Sequence, residues 1–349
     1  MQSRPPDVGA VRDDGSGQAV STGALSVTEP VLALMGPTAS GKSALAERLA
    51  EAFDGELISV DSALVYRGLT IGAAKPDYPH HLIHIRDPAD VYTAADFARD
   101  ARACIDEIRS RGRRPILVGG SMLYFRALLQ GFDAVPEVDP AIRVAIDEEA
   151  RALGWPAMHR QLAEVDPQAA ARLHPNHSQR IGRALEVYRG TGRALSEWQQ
   201  GETVPPTGDT IDYDCVALCP EERATLHARI ARRLDEMFDA GLVDEVRLLY
   251  RRDDLHVDLP AIRAVGYRQV WSHLAGELTL VECRDKVLAA TRQLAKRQIT
   301  WLRGWPALSW VLTNEAGALS PEADAPTAVP TDAPESLWKI RITRLMRNF

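Results

Sequence analysis

Apolar residues fall in short continuous runs along this chain, and the runs alternate with stretches where apolar positions recur at helical spacing. "VLALM" (31–35) is apolar throughout, "ELISV" (56–60) nearly so, and "PILVGG" (115–120) ends on two glycines. Short apolar runs bounded by turn signals read as buried strands. Residues 42–53 and 94–111 follow a helical period, and "SMLYFRALLQ" opens another helix. Strands separated by helices predict a parallel sheet with right-handed crossovers. From Pro136 to about Pro206 the strand pattern vanishes, and "AIRVAIDEEARAL", "PAMHRQLAEVD" and "SQRIGRALEVYRG" read as helices. "DYDCVALCP" restores a strand, helices follow across 221–251 and 283–303, and "LSWVL" (308–312) is read as a last strand. The expected class is α/β, a parallel sheet flanked by helices and interrupted by a helical insertion domain.

The ends differ from this body. Residues 1–27 are rich in Gly, Ser, Asp and Pro without a hydrophobic period, and read as a disordered leader. The sheet domain is assigned to 28–135 and 207–313, and the insertion to 136–206. Residues 314–349 are assigned to a linker and basic tail. "NEAGALSPEADAPTAVPTDAPE" has linker composition, whereas "SLWKIRITRLMRNF" has four basic residues and no acid. That tail is either a basic amphipathic segment, meeting RNA or folding back, or simply solvated.

Composition narrows the function classes. In 349 residues, 45% are apolar and the net charge is −7, so any nucleic-acid surface must be local. No apolar run reaches the roughly 18 residues a membrane span needs, and no secretory signal opens the chain; a cytoplasmic location is expected. Four cysteines suit a reducing compartment. Cys215 and Cys219 share a face of one strand with no second pair at zinc spacing, and read as buried thiols.

Candidate chemistry gathers at three strand ends. In a parallel sheet the carboxyl ends share one edge, where ligands bind. The first strand runs into "GPTASGKS" (36–43), which fits the phosphate-loop pattern with Gly36, Gly41, Lys42 and Ser43. Its glycines allow tight turns that aim N–H groups at anionic oxygens, Lys42 supplies a point charge and Ser43 a ligand for Mg²⁺. The fold is therefore expected to be P-loop NTPase-like. The loop by itself specifies a polyphosphate with magnesium, whether ATP, GTP or a pyrophosphate ester. The second strand ends at Asp61, and the third at Gly120-Ser121. Asp61 suits the acceptor-activating acid of a nucleotide kinase, the base of an alkyl transferase, or a helix cap; composition does not separate these.

Longer words do. "GPTASGKS", "VDSALVYRGLTIGAAKP", "HHLIHIRDP", "ADFARDA", "ILVGGSMLYFRALLQG", "QRIGRALEVYRGTG", "AIRAVGYRQVW" and "TRQLAKRQITWLRGW" occur in this order. Over roughly 30–313 the chain resembles the tRNA dimethylallyltransferase (tRNA isopentenyltransferase, IPP transferase) family. The resemblance implies transfer of a dimethylallyl group from dimethylallyl diphosphate to N6 of adenosine 37, next to the anticodon, in tRNAs reading codons that begin with U. Pyrophosphate would leave.

It implies that Gly36, Pro37, Thr38, Ala39, Ser40, Gly41, Lys42 and Ser43 hold the diphosphate, with Mg²⁺ on Ser43, and that Asp61 is the general base. Arg223 would also reach the diphosphate, unless it is an exposed helix arginine. Ser121 stands where the family has Thr and would contact the tRNA. Further tRNA contacts are implied for Asp61, Ser62, Ala63 and Leu64, for Arg143, for Gln179, Arg180, Ile181, Gly182 and Arg183, and for Arg263, Ala264, Val265, Gly266, Tyr267 and Arg268. His84 replaces a frequent Asp; His80, His81 and His84 are not expected to hold a metal.

Locally the charges agree: residues 284–304 carry six Lys or Arg against one Asp, a balance able to track phosphates. Trp301 and Trp305 are read as packing residues. The partner is the tRNA anticodon stem-loop, gripped by the insertion around an adenine turned out of its stack, and the chain is taken as a monomer. The competing readings are an isopentenyltransferase acting on free AMP, ADP or ATP, an ATP-dependent kinase, and a non-catalytic RNA-binding protein.

Overall fold

The structure, a computed structural model, describes residues 29–133, 135, 138–200, 203–204, 211–320 and 336–347. The expected leader lies outside them. Strands β1 (Val31–Met35) and β2 (Gly55–Val60) are linked by helix α1 (Lys42–Phe53). A two-residue strand β3 (His80–His81), helix α2 (Ala94–Ser110), strand β4 (Arg114–Gly119) and helix α3 (Met122–Leu129) follow. After the insertion come β7 (Tyr213–Pro220), α9 (Arg223–Asp239), α10 (Leu242–Tyr250), α11 (Tyr267–Leu274), α12 (Leu280–Arg303), β8 (Ser309–Thr313) and α13 (Leu337–Arg347). Between α3 and β7 lie β5 (Phe132–Asp133), α4 (Pro140–Leu153), α5 (Trp155–Val165), α6 (Pro167–Arg172), α7 (Ser178–Thr191), α8 (Leu195–Trp198) and β6 (Thr203–Val204).

Six strands form one parallel sheet in the order β3-β2-β4-β1-β7-β8. β1 is central and buried along its whole length, which is why it reads as a continuous apolar run. Strand alternation splits it between two cores. Leu32 and Leu34 pack with Leu45, Ala46, Leu49 and Ala50 of α1, whereas Ala33 and Met35 join Phe97, Ala101 and Ile105 of α2 on the opposite face. A reciprocal Thr93–Asp96 capping box starts α2.

The insertion has its own core, built from Ile146, Met158, Leu162, Ile181 and Leu185. Buried Asp166 ties it together, accepting from Ala169 N (2.9 Å) and Ser196 N (3.0 Å). β5 and β6 pair antiparallel where the chain leaves and rejoins the sheet domain. β6 falls within the stretch read as helical, since two residues are too few to show a period.

Within the C-terminal segment, Asn314–Ser320 departs from the linker reading: it folds back in a turn, with a bridge between Thr313 and Leu319. The basic tail forms α13 and folds onto the α1 face of the sheet. Trp338 is 1% exposed, its indole donates to Pro30 O (2.9 Å), and Phe53 meets it edge-on. Arg341 forks onto Glu29 (2.8 and 2.9 Å) and lies over both rings. Residues 321–335 lie outside the described residues.

Candidate active site

Because all six strands run parallel, their carboxyl ends share one edge. β2, β4 and β1 are neighbours there, and Val60 and Met35 both pair with Gly119. Asp61 and Gly36 are therefore level, two strand spacings or about 10 Å apart. The segment after β4, carrying Ser121, leaves between them.

The loop after β1 is a cradle of backbone amides. Ala39 (φ 63°) and Gly41 (φ 94°) take the left-handed conformation, and Ser40 N donates to Pro37 O (3.3 Å). Successive N–H groups turned this way form an anion-binding hollow. Helix α1 starts at Lys42 without a side-chain cap, so its first amides and its dipole add to the hollow. The Ser40 hydroxyl is buried with no partner among the described residues.

Two cations face this hollow. Lys42 donates to Pro37 O (3.2 Å), and burial, with Arg233 nearby, pushes its ammonium down to about 8, opposed by Asp61. Burial also lowers Arg233, again opposed by Asp61. Two desolvated positive charges beside these inward-turned amides make a site arranged for a polyanion.

The Asp61 carboxylate lies within electrostatic reach of both. Its Oδ1 accepts from Ala63 N (2.8 Å) and Leu64 N (3.2 Å), so it does cap the turn that follows. Among the described residues Oδ2 has no hydrogen-bond partner. One oxygen thus fixes the orientation of the carboxylate. Ser121 lies across from Ser62, its Oγ accepting from Ser62 N (3.0 Å).

Residues that sequence reading missed hold the halves together. Gln298 of α12, 8% exposed, accepts from Thr38 N (2.9 Å) and donates to Gly120 O (2.9 Å). Arg233 donates to Thr38 Oγ1 (3.1 Å), and Arg229 to Ser40 O (3.4 Å). These partners stand 260 and 195 positions from Thr38, beyond any local signal. Arg223, by contrast, is exposed at the start of α9 and bonds His227 (3.3 Å). The arginines that contact the loop are thus Arg229 and Arg233, and Arg233 lies about 15 Å beyond Arg223 along the helix.

Around the cradle a crevice of about 1080 Å³ is bounded by the loop, Lys75–Asp77, the basic face of α9 and the turn after β8. Ser43 lines it, exposed and at the first turn of α1. A hydroxyl there, beside a phosphate hollow, suits Mg²⁺, a hard cation that keeps water and phosphate oxygens as its other ligands. A smaller recess of about 70 Å³ adjoins Thr38 and Ala39 and is walled by Gly72, Ile230, Val265 and Leu294 among others.

The other predicted contacts divide by exposure. Gln179, Arg180 and Arg183 are exposed on one side of α7, whereas Ile181 and Gly182 are buried. Arg143 lies over Gly182 and pairs with Asp147 (3.1 Å), and Arg183 with Glu186 (2.9 Å). Arg263 and Arg268 are exposed, Val265 and Gly266 line the recess, and Tyr267 is fully buried. Leu64 is buried and Ser62 exposed. Trp305 packs against Phe125, but Trp301 is 38% exposed.

The histidines have separate partners: His81 pairs with Glu56 (2.7 Å), His80 donates to Tyr78 O (2.7 Å) and His84 to Leu69 O (3.2 Å). No group of three metal-ligating side chains occurs among the described residues. All four cysteines are free; burial raises Cys215 to about 12 and Cys219 to about 11. No helix among the described residues is long and apolar enough to cross a membrane.

Known proteins share this sequence and this fold. A family model described as IPP transferase matches residues 64–305. A curated protein of Hahella chejuensis, tRNA dimethylallyltransferase 2, is 51% identical over 303 residues, covering 82% of this chain and 91% of its own. Among solved structures, the tRNA isopentenylpyrophosphate transferase of Bacillus halodurans is 34% identical with TM-score 0.60, covering 92% of this chain and 95% of its own. A eukaryotic dimethylallyltransferase solved acting on tRNA is 25% identical with TM-score 0.66, covering 82% of this chain and 74% of its own.

Proposed function

Since the chain belongs to the IPP transferase family, we propose that it transfers a dimethylallyl group from dimethylallyl diphosphate to N6 of adenosine 37 in the tRNA anticodon stem-loop. The observation that carries this reading is the placement of Asp61: a carboxylate level with the phosphate hollow, its orientation fixed through one oxygen. The reading takes the enzyme to act as a monomer in the cytoplasm, on tRNAs reading codons that begin with U.

In the reaction, the bond between N6 and the allylic C1 forms as the bond from C1 to oxygen breaks. An exocyclic adenine amine is a weak nucleophile because its lone pair is delocalised into the ring. Asp61 takes the N6 proton, and general-base help of this kind contributes about 10²–10⁴-fold. The electron pair of the broken bond leaves with pyrophosphate. Loop amides, Lys42 and Arg233 stabilise that charge without reorganising. Mg²⁺, held through Ser43, would neutralise diphosphate oxygens when bound. The recess beside Thr38 suits the apolar five-carbon group. Exposed Arg180, Arg263 and Arg268 suit backbone phosphates, which position a nucleic acid.

The test is incubation of unmodified tRNA, and in parallel free AMP, with dimethylallyl diphosphate and Mg²⁺, followed by mass analysis of the nucleosides. Dimethylallyladenosine from tRNA alone is expected. Product from AMP alone, or none from either, would overturn the reading.

A further inference from the structure

Glu245, in the first turn of α10, accepts four hydrogen bonds from two distant segments. Its Oε2 accepts from Ile71 N (2.7 Å) and Thr70 N (3.1 Å), and its Oε1 from Gly72 N (3.1 Å) and Tyr267 Oη (2.6 Å). A half-buried carboxylate holding this many donors is a rigid fastening. The loop it holds is closed on itself by Lys75 N to Thr70 O (2.9 Å) and Ala74 N to Ile71 O (3.0 Å).

The two fastened segments are two walls of the apolar recess. Gly72 forms one, and Val265–Gly266, directly before Tyr267, forms another. Gly72 lies flat on the Tyr267 ring: a Cβ there would stand 2.7 Å from ring carbons and 2.8 Å from Leu242. The recess adjoins the cradle at Thr38 and Ala39, where the apolar end of a diphosphate ester would go. Its width therefore depends on how closely Glu245 draws these walls together.

We propose that Glu245 is a positioning residue that sets the width of the recess, through Gly72 and Tyr267, and thereby restricts the allylic donor to five carbons. The inference rests on the reaction proposed above. It makes donor length a property of a carboxylate that does not touch the donor.

The test compares dimethylallyl diphosphate with geranyl diphosphate, its ten-carbon homologue, in steady-state assays on tRNA. The variants are Glu245→Gln and Tyr267→Phe. Gln keeps the volume but turns an N–H₂ towards amides that already donate; Phe removes only the 2.6 Å bond. In both, KM for dimethylallyl diphosphate is expected to rise, more in Glu245→Gln. The ratio of kcat/KM for geranyl over dimethylallyl diphosphate is expected to rise about tenfold or more, the scale of discrimination by apolar pockets. Competitive inhibition by inorganic pyrophosphate, which needs only the cradle, should stay unchanged.

An unchanged ratio in both variants would overturn the proposal, as would a parallel loss of pyrophosphate affinity and of both donors. If Glu245→Gln does not fold by thermal melt, Tyr267→Phe alone decides. Wild-type protein inactive with dimethylallyl diphosphate would instead refute the underlying reaction.

Discussion

Replacing Asp61 by Asn or by Ala should separate the two tasks of this carboxylate. Asn keeps an oxygen where Oδ1 accepts from Ala63 N and Leu64 N, so the turn after β2 survives. It puts a non-basic NH₂ group in place of Oδ2. Loss of the general base then costs about 10²–10⁴ in rate, or roughly 3–5 kcal/mol of transition-state stabilisation. Ala loses the base and also both turn hydrogen bonds, a cap-like loss of about 1–2 kcal/mol in stability. The assay is single-turnover transfer to tRNA at saturating donor, beside thermal melts and tRNA affinity. Both variants should be slow to the same degree, and only Asp61→Ala should melt earlier. A near-normal rate for Asp61→Asn would show that the carboxylate merely caps the turn. Asp61 also helps keep Lys42 protonated, so in Asp61→Asn the Lys42 pKa should fall further.

Other consequences follow from the same geometry. Lys42 sits at about 8 in the folded chain against an ordinary 10.5. The unfolded chain then binds more protons between these values, so the ligand-free protein should gain stability as pH rises from about 8 to 10.5. Lys42→Met should melt later than wild type at neutral pH yet bind diphosphate poorly; an earlier melt would contradict the buried-charge argument. Gln298→Leu leaves Thr38 N and Gly120 O without their partner, at about 1–3 kcal/mol each. It should also lower kcat, because about 1 Å of misplacement can cost roughly 100-fold. A lower melting temperature with normal kcat would limit Gln298 to stability. Arg233→Ala should raise the donor KM more than Arg223→Ala, since Arg233 bonds Thr38 of the loop whereas Arg223 bonds His227; the reverse order would favour Arg223 as the diphosphate contact. Trp338→Ala should cost about 3–5 kcal/mol, as for other buried Trp truncations, and an unchanged melt would mean that α13 is not docked in solution.

What the sequence by itself determined was local. A continuous apolar run means a strand buried on both faces, and the glycines, Lys42 and Ser43 of one eight-residue stretch match the phosphate-loop pattern. The sheet edge collects strand ends, so Asp61, Ser121 and the loop could be placed together before any coordinates. The family resemblance supplied the reaction, and the relatives of this chain carry that name. The tertiary structure decided whatever depends on chain segments far apart. Gln298 and Arg233 carry no signature in "KRQITW" or "ARRLDEM", because their meaning is a contact with Thr38. Glu245 looks like an ordinary acid at a helix start until three amides and a phenol converge on it. The tail reads as solvated or docked with equal ease, because an amphipathic pattern does not say whether an apolar face is waiting for it. Strand and helix follow from periodicity over neighbouring residues, whereas the walls of a site are set by burial and hydrogen bonds that only the folded chain brings within reach.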